Sequence, residues 1–362
     1  MSEHAIKGQN IFVRMFIPAR GDSVGAVIRK IISILCIIVV IVCAAVVVPE
    51  LVRREQDAGL INDLEEMMAQ NASGSFSIDK QEVEQIKEEV PQILDKFVDL
   101  YAENSDVVGW LTVGGGSHLI SYPVMMNEKD TEYYLYRNFK KEDSKSGSIF
   151  CDNHVLPFTD ANNLVIYGHN MKSGEYFGQL SYYYPYSIHG KESFLEYYKQ
   201  YPTVQFDTLW EEGTYKIFAG MFINVDAKDG YPYPYYQKRM FTNELEFMDF
   251  MGNIMDRSTF YTGVDVEYGD QIITLSTCYY YPFDNTVDSR FAMFARKVRE
   301  GEDPSVDVSK VVINPDPLFF DTYYKRLGGS WGGRTWDKEY PWLVKGFEEY
   351  TDIIDSRDNV EP

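Results

Sequence analysis

Cysteine is scarce in this chain, four in 362 residues, and no two of them stand in a C-x-x-C pair. A disulfide-stapled scaffold carries more cysteines in a shorter chain, and a structural zinc site needs paired ligand spacings, so both are excluded. Positive charge is also short: 34 Lys and Arg against 55 Asp and Glu leave a formal net charge of -21. Beyond the first thirty residues no compact basic stripe interrupts that acidic background, which excludes nucleic acid as a partner. No repeat period is evident. Aromatic residues dominate instead, with 28 Tyr and 22 Phe. Such side chains favour pleated, half-buried surfaces, so the expected core is mainly β.

The longest apolar run is Ile31–Val48, IISILCIIVVIVCAAVVV, which carries no charge over a length just sufficient to span a hydrocarbon core as a helix. Lys7, Arg14, Arg20, Arg29 and Lys30 precede it, whereas Arg53 and Arg54 beyond it mingle with Glu50, Glu55 and Asp57. This bias puts the N-terminus in the cytoplasm and everything after about residue 49 outside, on a single-pass anchor at the cell membrane. A cleaved signal peptide is the alternative; the run is long for one, and no small-x-small site follows it. Cys36 and Cys43 lie within the run and act as small hydrophobes, leaving Cys151 and Cys278 for chemistry, either as a disulfide or as free thiols.

Residues 49–105 read as a juxtamembrane helical region, with apolar residues at helical spacing in Leu60–Met68 and Ser77–Leu100 and a break at Asn71–Ser75. From 106 to 300 the pattern changes to short Val-, Ile-, Tyr- and Phe-rich runs between Gly, Asn, Asp and Pro clusters. Strands are predicted at Val108–Val113, His118–Met125, Gly147–Cys151, Asn163–Tyr167, Tyr215–Val225, Gln271–Thr277 and Arg290–Val298. Helices are predicted near Glu175–Leu180, Lys191–Gln200 and Asn243–Ile254. This is the pattern of a closed barrel or sandwich. The segment 301–362 reads as an aromatic C-terminal extension, whose Trp331, Trp336 and Trp342 either pack on the barrel wall or bind a glycan or partner.

Within QIITLSTC, residues 271–278, alternation puts Ile272, Thr274, Ser276 and Cys278 on one face and Ile273, Leu275 and Thr277 on the other. Eleven residues, Tyr279–Ser289, precede the next run, RFAMFARKV. If the two strands pair antiparallel, Arg290 returns beside Cys278, where a guanidinium favours a thiolate and can stabilise a developing oxyanion. The histidine partner is expected at His169, which ends the strand NNLVIYGH after Gly168, a residue that allows a sharp backbone turn. His118, His154 and His189 have no such context, and Cys151 in GSIFCDN fits a core position. The plainer readings are a structural strand cysteine at 278 and an edge-strand arginine at 290 whose stem packs while its head reaches water.

At these residues the chain resembles a class B sortase. The resemblance runs in order through ENSDVVGWL from Glu103, YPVMM near Tyr122, EYYLYRNF from Glu132, GSIF from Gly147, NLVIYGHNMKSGEYFGQL from Asn163, TLSTC ending at Cys278 and RFAMFARKV from Arg290. It implies an α+β fold built on a closed eight-stranded β-barrel with N-terminal and inserted helices. It also implies a cysteine transpeptidase that cleaves a C-terminal sorting signal of secreted proteins and joins the acyl group to a peptidoglycan or lipid-linked amine. Catalytic Cys278, His169 and Arg290 carry over from the motifs, as do Leu135 and Ser276 as residues lining the signal groove. No metal or organic cofactor is implied. The Cys278–Arg290 interval is longer than the family's pattern, and the extension after Gly301 exceeds the family's domain end. Alternative tasks are pilin polymerisation through a lysine acceptor, hydrolysis of the thioester, or adhesion without catalysis. A transpeptidase of the L,D type is disfavoured because Thr277, not glycine, precedes the cysteine.

Overall fold

Residues at every second position turn to one side of a strand, and the runs read above place apolar side chains there. The computed structural model describes residues 15–152 and 163–358; His154 lies outside them. Eight strands close into a barrel: β1 (Val107–Val113), β2 (Ile120–Met125), β3 (Ile149–Cys151), β4 (Asn163–Tyr167), β5 (Thr203–Thr208), β6 (Thr214–Asn224), β8 (Ile272–Cys278) and β9 (Ser289–Lys297). The order around the barrel is β1-β2-β3-β4-β8-β9-β6-β5, with β1 pairing β5 to close it. β2–β3 and β4–β8 are parallel, and the other neighbours run antiparallel. Closure removes the exposed edges on which such strands would otherwise aggregate.

The strand alternation sorts side chains into two apolar layers. Leu111, Val124, Ile149, Leu164, Ile166, Val204, Ile217, Ile273 and Met293 join a cluster fed by all eight strands, which is the barrel interior. Val165, Ile272, Ala292 and Phe294 point the other way, into a second cluster roofed by α5 (Glu244–Arg257). Phe247, Met248, Phe250, Met251, Ile254 and Met255 recur at three- and four-residue steps on α5 and are all buried. Its N-cap is Asn243, whose side chain accepts from the Glu246 N–H at 3.0 Å.

Some predicted elements differ, among them Gly147–Cys151, where the strand begins only at Ile149. His118–Met125 gives a strand only from Ile120, because the triple glycine Gly114–Gly116 leads into a 3₁₀ turn at Gly116–His118. Over Glu175–Leu180 the structure has a 3₁₀ segment, Phe177–Tyr183, in which a Cβ at Gly178 would come within 2.4 Å of the Met171 carbonyl oxygen. Near the N-terminus, α1 (Val24–Ala72) is one helix of 49 residues that passes through Pro49. Among the described residues it alone is long and apolar enough to cross a membrane. α2 (Lys80–Glu89) and α3 (Val98–Glu103) precede the barrel, and α4 (Gly190–Gln200) lies between β4 and β5.

The segment after Gly301 packs into both clusters. β10 (Val312–Ile313) pairs with β7 (Phe260–Tyr261), and Phe319 and Phe320 join the interior cluster. Trp336, in α7 (Trp336–Glu339), is 1% exposed; it packs on Phe347 and donates from Nε1 to Asp256 at 2.7 Å, the carboxylate that Arg334 grips with two nitrogens. Trp342 stays 42% exposed.

At the opposite end of β9 the fully buried Arg296 side chain donates to both Glu302 oxygens, at 2.5 and 2.9 Å, and Lys216 reaches the same carboxylate at 2.7 Å. Arg296 chiefly, with Lys216 and the Arg299 N–H, holds the Glu302 carboxyl far below its ordinary range against the opposing effect of burial. A depressed carboxylate pKa contributes stability that is fully present above the unfolded value, about 4.3, and is lost as pH falls through the folded one. The melting temperature is therefore expected to decline below about pH 4 through this group. Glu302→Gln should cost on the order of 2 kcal/mol near neutrality and flatten the acid limb. Calorimetry on both proteins between neutral and acid pH checks this, and an unchanged acid limb in the variant would refute it.

Candidate functional site

β4 and β8 run parallel with Tyr167 opposite Ser276, so the residues leaving β4 meet those ending β8 although about 110 residues of chain separate them. The contact continues past the strand end. Gly168 N–H donates to the Ser276 carbonyl at 3.3 Å, Thr277 Oγ1 donates to the Gly168 carbonyl at 2.8 Å, and Asn170 Nδ2 donates to the Cys278 carbonyl at 2.7 Å. His169 is thus clamped between two residues bonded to the Cys278 strand. The return of its loop is fixed by Phe177 N–H donating to the His169 carbonyl at 3.0 Å and by Tyr176, whose N–H donates to Tyr122 Oη at 3.1 Å. Gly168 takes no left-handed conformation. Its requirement is steric, since a Cβ there would lie 2.9 Å from the Phe177 ring.

The imidazole is oriented by backbone. His169 Nε2 lies 2.9 Å from the Leu135 carbonyl oxygen. A carbonyl can only accept, so Nε2 carries the proton and Nδ1 is the nitrogen with a lone pair in the neutral ring. Leu135 is held there by the close approach of Gly147, at φ +59, where a Cβ would sit 2.3 Å from the Leu135 oxygen. Leu135, expected at the signal groove, therefore touches the histidine through its main chain, and the Tyr136 ring beside it lies tilted at 40° to the imidazole with centroids 5.8 Å apart.

On the other side of β8, Cys278 and Arg290 are antiparallel partners, as the strand reading expects, and partners point to the same face. Cys278 is a free, half-buried thiol, and Cys151 is a free, buried one, so no disulfide joins them. Burial pushes the Cys151 thiol far up, which suits a core position. For Arg290 burial works against the charge, but the Cys278 sulfur and Asp288 outweigh it and raise the guanidinium's pKa. Arg290 Nη1 donates to the Asp288 carboxylate and, at 3.1 Å, to the Ser289 carbonyl.

Ser276 is 3% exposed, and its hydroxyl is already engaged by Tyr235 Oη at 2.6 Å. Tyr235 was not singled out by the sequence reading. Burial pushes its phenol up to about 12, even though Ser276 and Arg290 pull it down, so it stays neutral. Tyr280 is the second such residue: burial first, then the neighbouring Cys278 side chain, pushes it up to about 12. The tyrosine-rich stretches Tyr231–Tyr236 and Tyr279–Tyr281 were the signal available in the sequence. His118 and His189 lie elsewhere, one on either side of Tyr182, with ring centroids 4.1 and 3.9 Å from it. Their ring nitrogens meet Gln179 Oε1 at 3.1 Å and Ser181 Oγ at 3.1 Å, and His118 also meets the Tyr197 ring edge-on.

The arrangement joins a half-exposed thiol, a guanidinium on the same sheet face and an imidazole of fixed tautomer, the set that acyl transfer through a thioester requires. Comparison with known proteins agrees. The sortase domain family model matches residues 124–298. Sortase B of Listeria monocytogenes is 33% identical over 188 residues, 52% of this chain and 68% of that protein. Sortase B of Staphylococcus aureus is 29% identical over 183 residues, 51% of this chain and 67% of that one. The solved complex of Staphylococcus aureus sortase B with substrate superposes with a TM-score of 0.51 at 22% identity, covering 68% of this chain and 99% of that one, and supports the barrel fold. With a relative this similar across two thirds of its length, the chain belongs to the class B sortases, which are cysteine transpeptidases.

Proposed function

We propose that Cys278 is the nucleophile, His169 the acid and base, and Arg290 the cation of a transpeptidase that cuts a C-terminal sorting signal and transfers the acyl part to a cell-wall amine. The observation that carries this reading is the pairing of Cys278 with Arg290 beside a histidine whose Nε2 is tied to Leu135. The Cys278 thiolate attacks the carbonyl carbon of a threonine in a pentapeptide signal. Charge moves to the carbonyl oxygen, where Arg290 stabilises it. The imidazolium of His169 gives the proton at Nδ1 to the leaving amine, the C–N bond breaks, and a thioester remains on Cys278. An incoming amine attacks that thioester and loses its proton to His169, and the thiolate departs.

The substrate class proposed is that of the family, and the solved complex of the Staphylococcus aureus relative with its substrate is in keeping with it. Residues 31–48 within α1 serve as the membrane anchor in this reading, with the N-terminus cytoplasmic and the barrel outside, where exported proteins and lipid-linked wall precursors meet. The units 1–30, 31–48, 49–105, 106–300 and 301–362 are then tail, anchor, juxtamembrane region, catalytic barrel and extension.

The test uses the full chain in detergent with fluorogenic signal pentapeptides and three acceptors: water alone, a wall-type amine and a lysine side chain. A thioester adduct by intact mass and an amine-linked product with the wall-type amine are expected. Product only with lysine would reassign the enzyme to pilin polymerisation, and free threonine acid alone would make it a hydrolase. A folded chain whose Cys278 alkylates but forms no adduct with any signal would sink the proposal.

A further inference from the structure

The ten residues between β8 and β9, Tyr279–Asp288, form a long loop, and a loop of that length samples many conformations unless something holds it. Its base is closed by Tyr279 N–H donating to the Ser289 carbonyl at 3.0 Å and by Ser289 Oγ donating to the Tyr279 carbonyl at 2.5 Å. Its tip is held by α6 (Asp321–Leu327), which belongs to the segment after the barrel. Phe283, 5% exposed, lies 5.8 Å from Phe320 and 5.9 Å from Tyr323 between ring centroids. Arg326 lies 5.5 Å over the same ring and donates from Nη1 to Thr286 Oγ1 at 2.6 Å. Thr286 Oγ1 in turn donates to the Phe283 carbonyl at 2.6 Å.

The N-terminal turn of α6 meets a second loop at the site. Thr322 Oγ1 donates to Asp229 at 3.0 Å, and a Cβ at Gly230 would come within 2.7 Å of the Asp321 nitrogen. Six residues beyond Asp229 stands Tyr235, bonded to Ser276. One short helix therefore touches both loops that flank Cys278: the one bearing Tyr280 and Asp288, and the one leading to Tyr235.

We propose that α6 is a positioning element of the active site, with Tyr323 and Arg326 fixing the Tyr279–Asp288 loop so that Tyr280 and the Asp288–Arg290 pair face the Cys278 sulfur. This rests on the assignment of Cys278 and Arg290 above. Because α6 acts through the loop, its loss lowers the rate of acyl transfer more than it weakens peptide binding.

The experiment compares the full chain in detergent with Arg326→Ala, Thr286→Val, their double variant, and Tyr323→Ala. It measures kcat, KM, melting temperature and the pH profile of Cys278 alkylation by iodoacetamide. Arg326 is exposed, so its removal leaves the fold intact. A fall in kcat of about fivefold, the equivalent of one hydrogen bond, is expected for Arg326→Ala. KM should hold within about twofold, the alkylation profile should shift to higher pH, and the double variant should be no slower than the worse single one. Tyr323→Ala should lower kcat further. Unchanged kcat and alkylation profile in Arg326→Ala and Tyr323→Ala would overturn the inference, as would losses that merely follow the melting temperature. Turnover by Cys278→Ala would instead defeat the assignment of the nucleophile, so the two failures are distinct.

Discussion

Alanine at position 278 is expected to abolish turnover, by about 10⁴-fold or more, and to leave no thioester adduct under intact-mass trapping. The loss is this large because every later step uses the bond that the sulfur makes. Cys278 ends β8 half-exposed, and removing Sγ opens little cavity, so the variant should keep the wild-type melting temperature. Serine at the same place keeps the volume but supplies a much weaker nucleophile at neutral pH, and it too should form no adduct. The other thiol serves as an internal control. Cys151 is 1% exposed with a thiol pushed far up by burial, so Cys151→Ser should retain the adduct while losing some stability. An adduct on any residue other than Cys278 would end the assignment.

Alanine at His169 is expected to lower kcat by about 10²–10⁴-fold on a peptide signal, and by much less on a signal ester or thioester. The contrast follows from the role given to Nδ1. A departing amine must be protonated as the C–N bond breaks, whereas an alkoxide or thiolate leaving group needs far less help. The hydrogen bond from Nε2 to the Leu135 carbonyl does not depend on the substrate, so a purely structural histidine would depress both substrate types alike. Measuring kcat for matched amide and ester signals decides between these outcomes, and equal losses on both would remove His169 from proton transfer.

Much of the site was legible in the linear sequence because strand chemistry is local. The period-two pattern in QIITLSTC put Cys278 and Ser276 on one face, and the following run brought Arg290 back opposite Cys278; both hold in the register of β8 and β9. The strands were legible for the same reason, save β5, while the choice of a closed barrel over a sandwich came from the family resemblance. That strand has only Val204 and Phe206 as buried apolar residues among Thr203, Gln205, Asp207 and Thr208, too few to stand out from a polar loop. Tyr235 escaped because its partner, Ser276, lies 41 residues away, and a tyrosine-rich stretch does not by itself say which of its hydroxyls will meet a distant strand. The extension gave a similar lesson: its tryptophans were conspicuous, but composition could not distinguish a binding surface from the buried Trp336–Asp256–Arg334 contact.

By itself the sequence determined the anchor-like apolar run, the mainly β character of the core and the placing of Arg290 across from Cys278, since each depends on residues close in the chain or on a two-residue repeat. Only the tertiary structure decided which nitrogen of His169 is free, that Ser276 is occupied by Tyr235, and that α6 reaches back to hold the loop beyond Cys278. Those contacts join residues far apart in the chain, and their geometry exists only after the barrel has closed and the extension has packed against it.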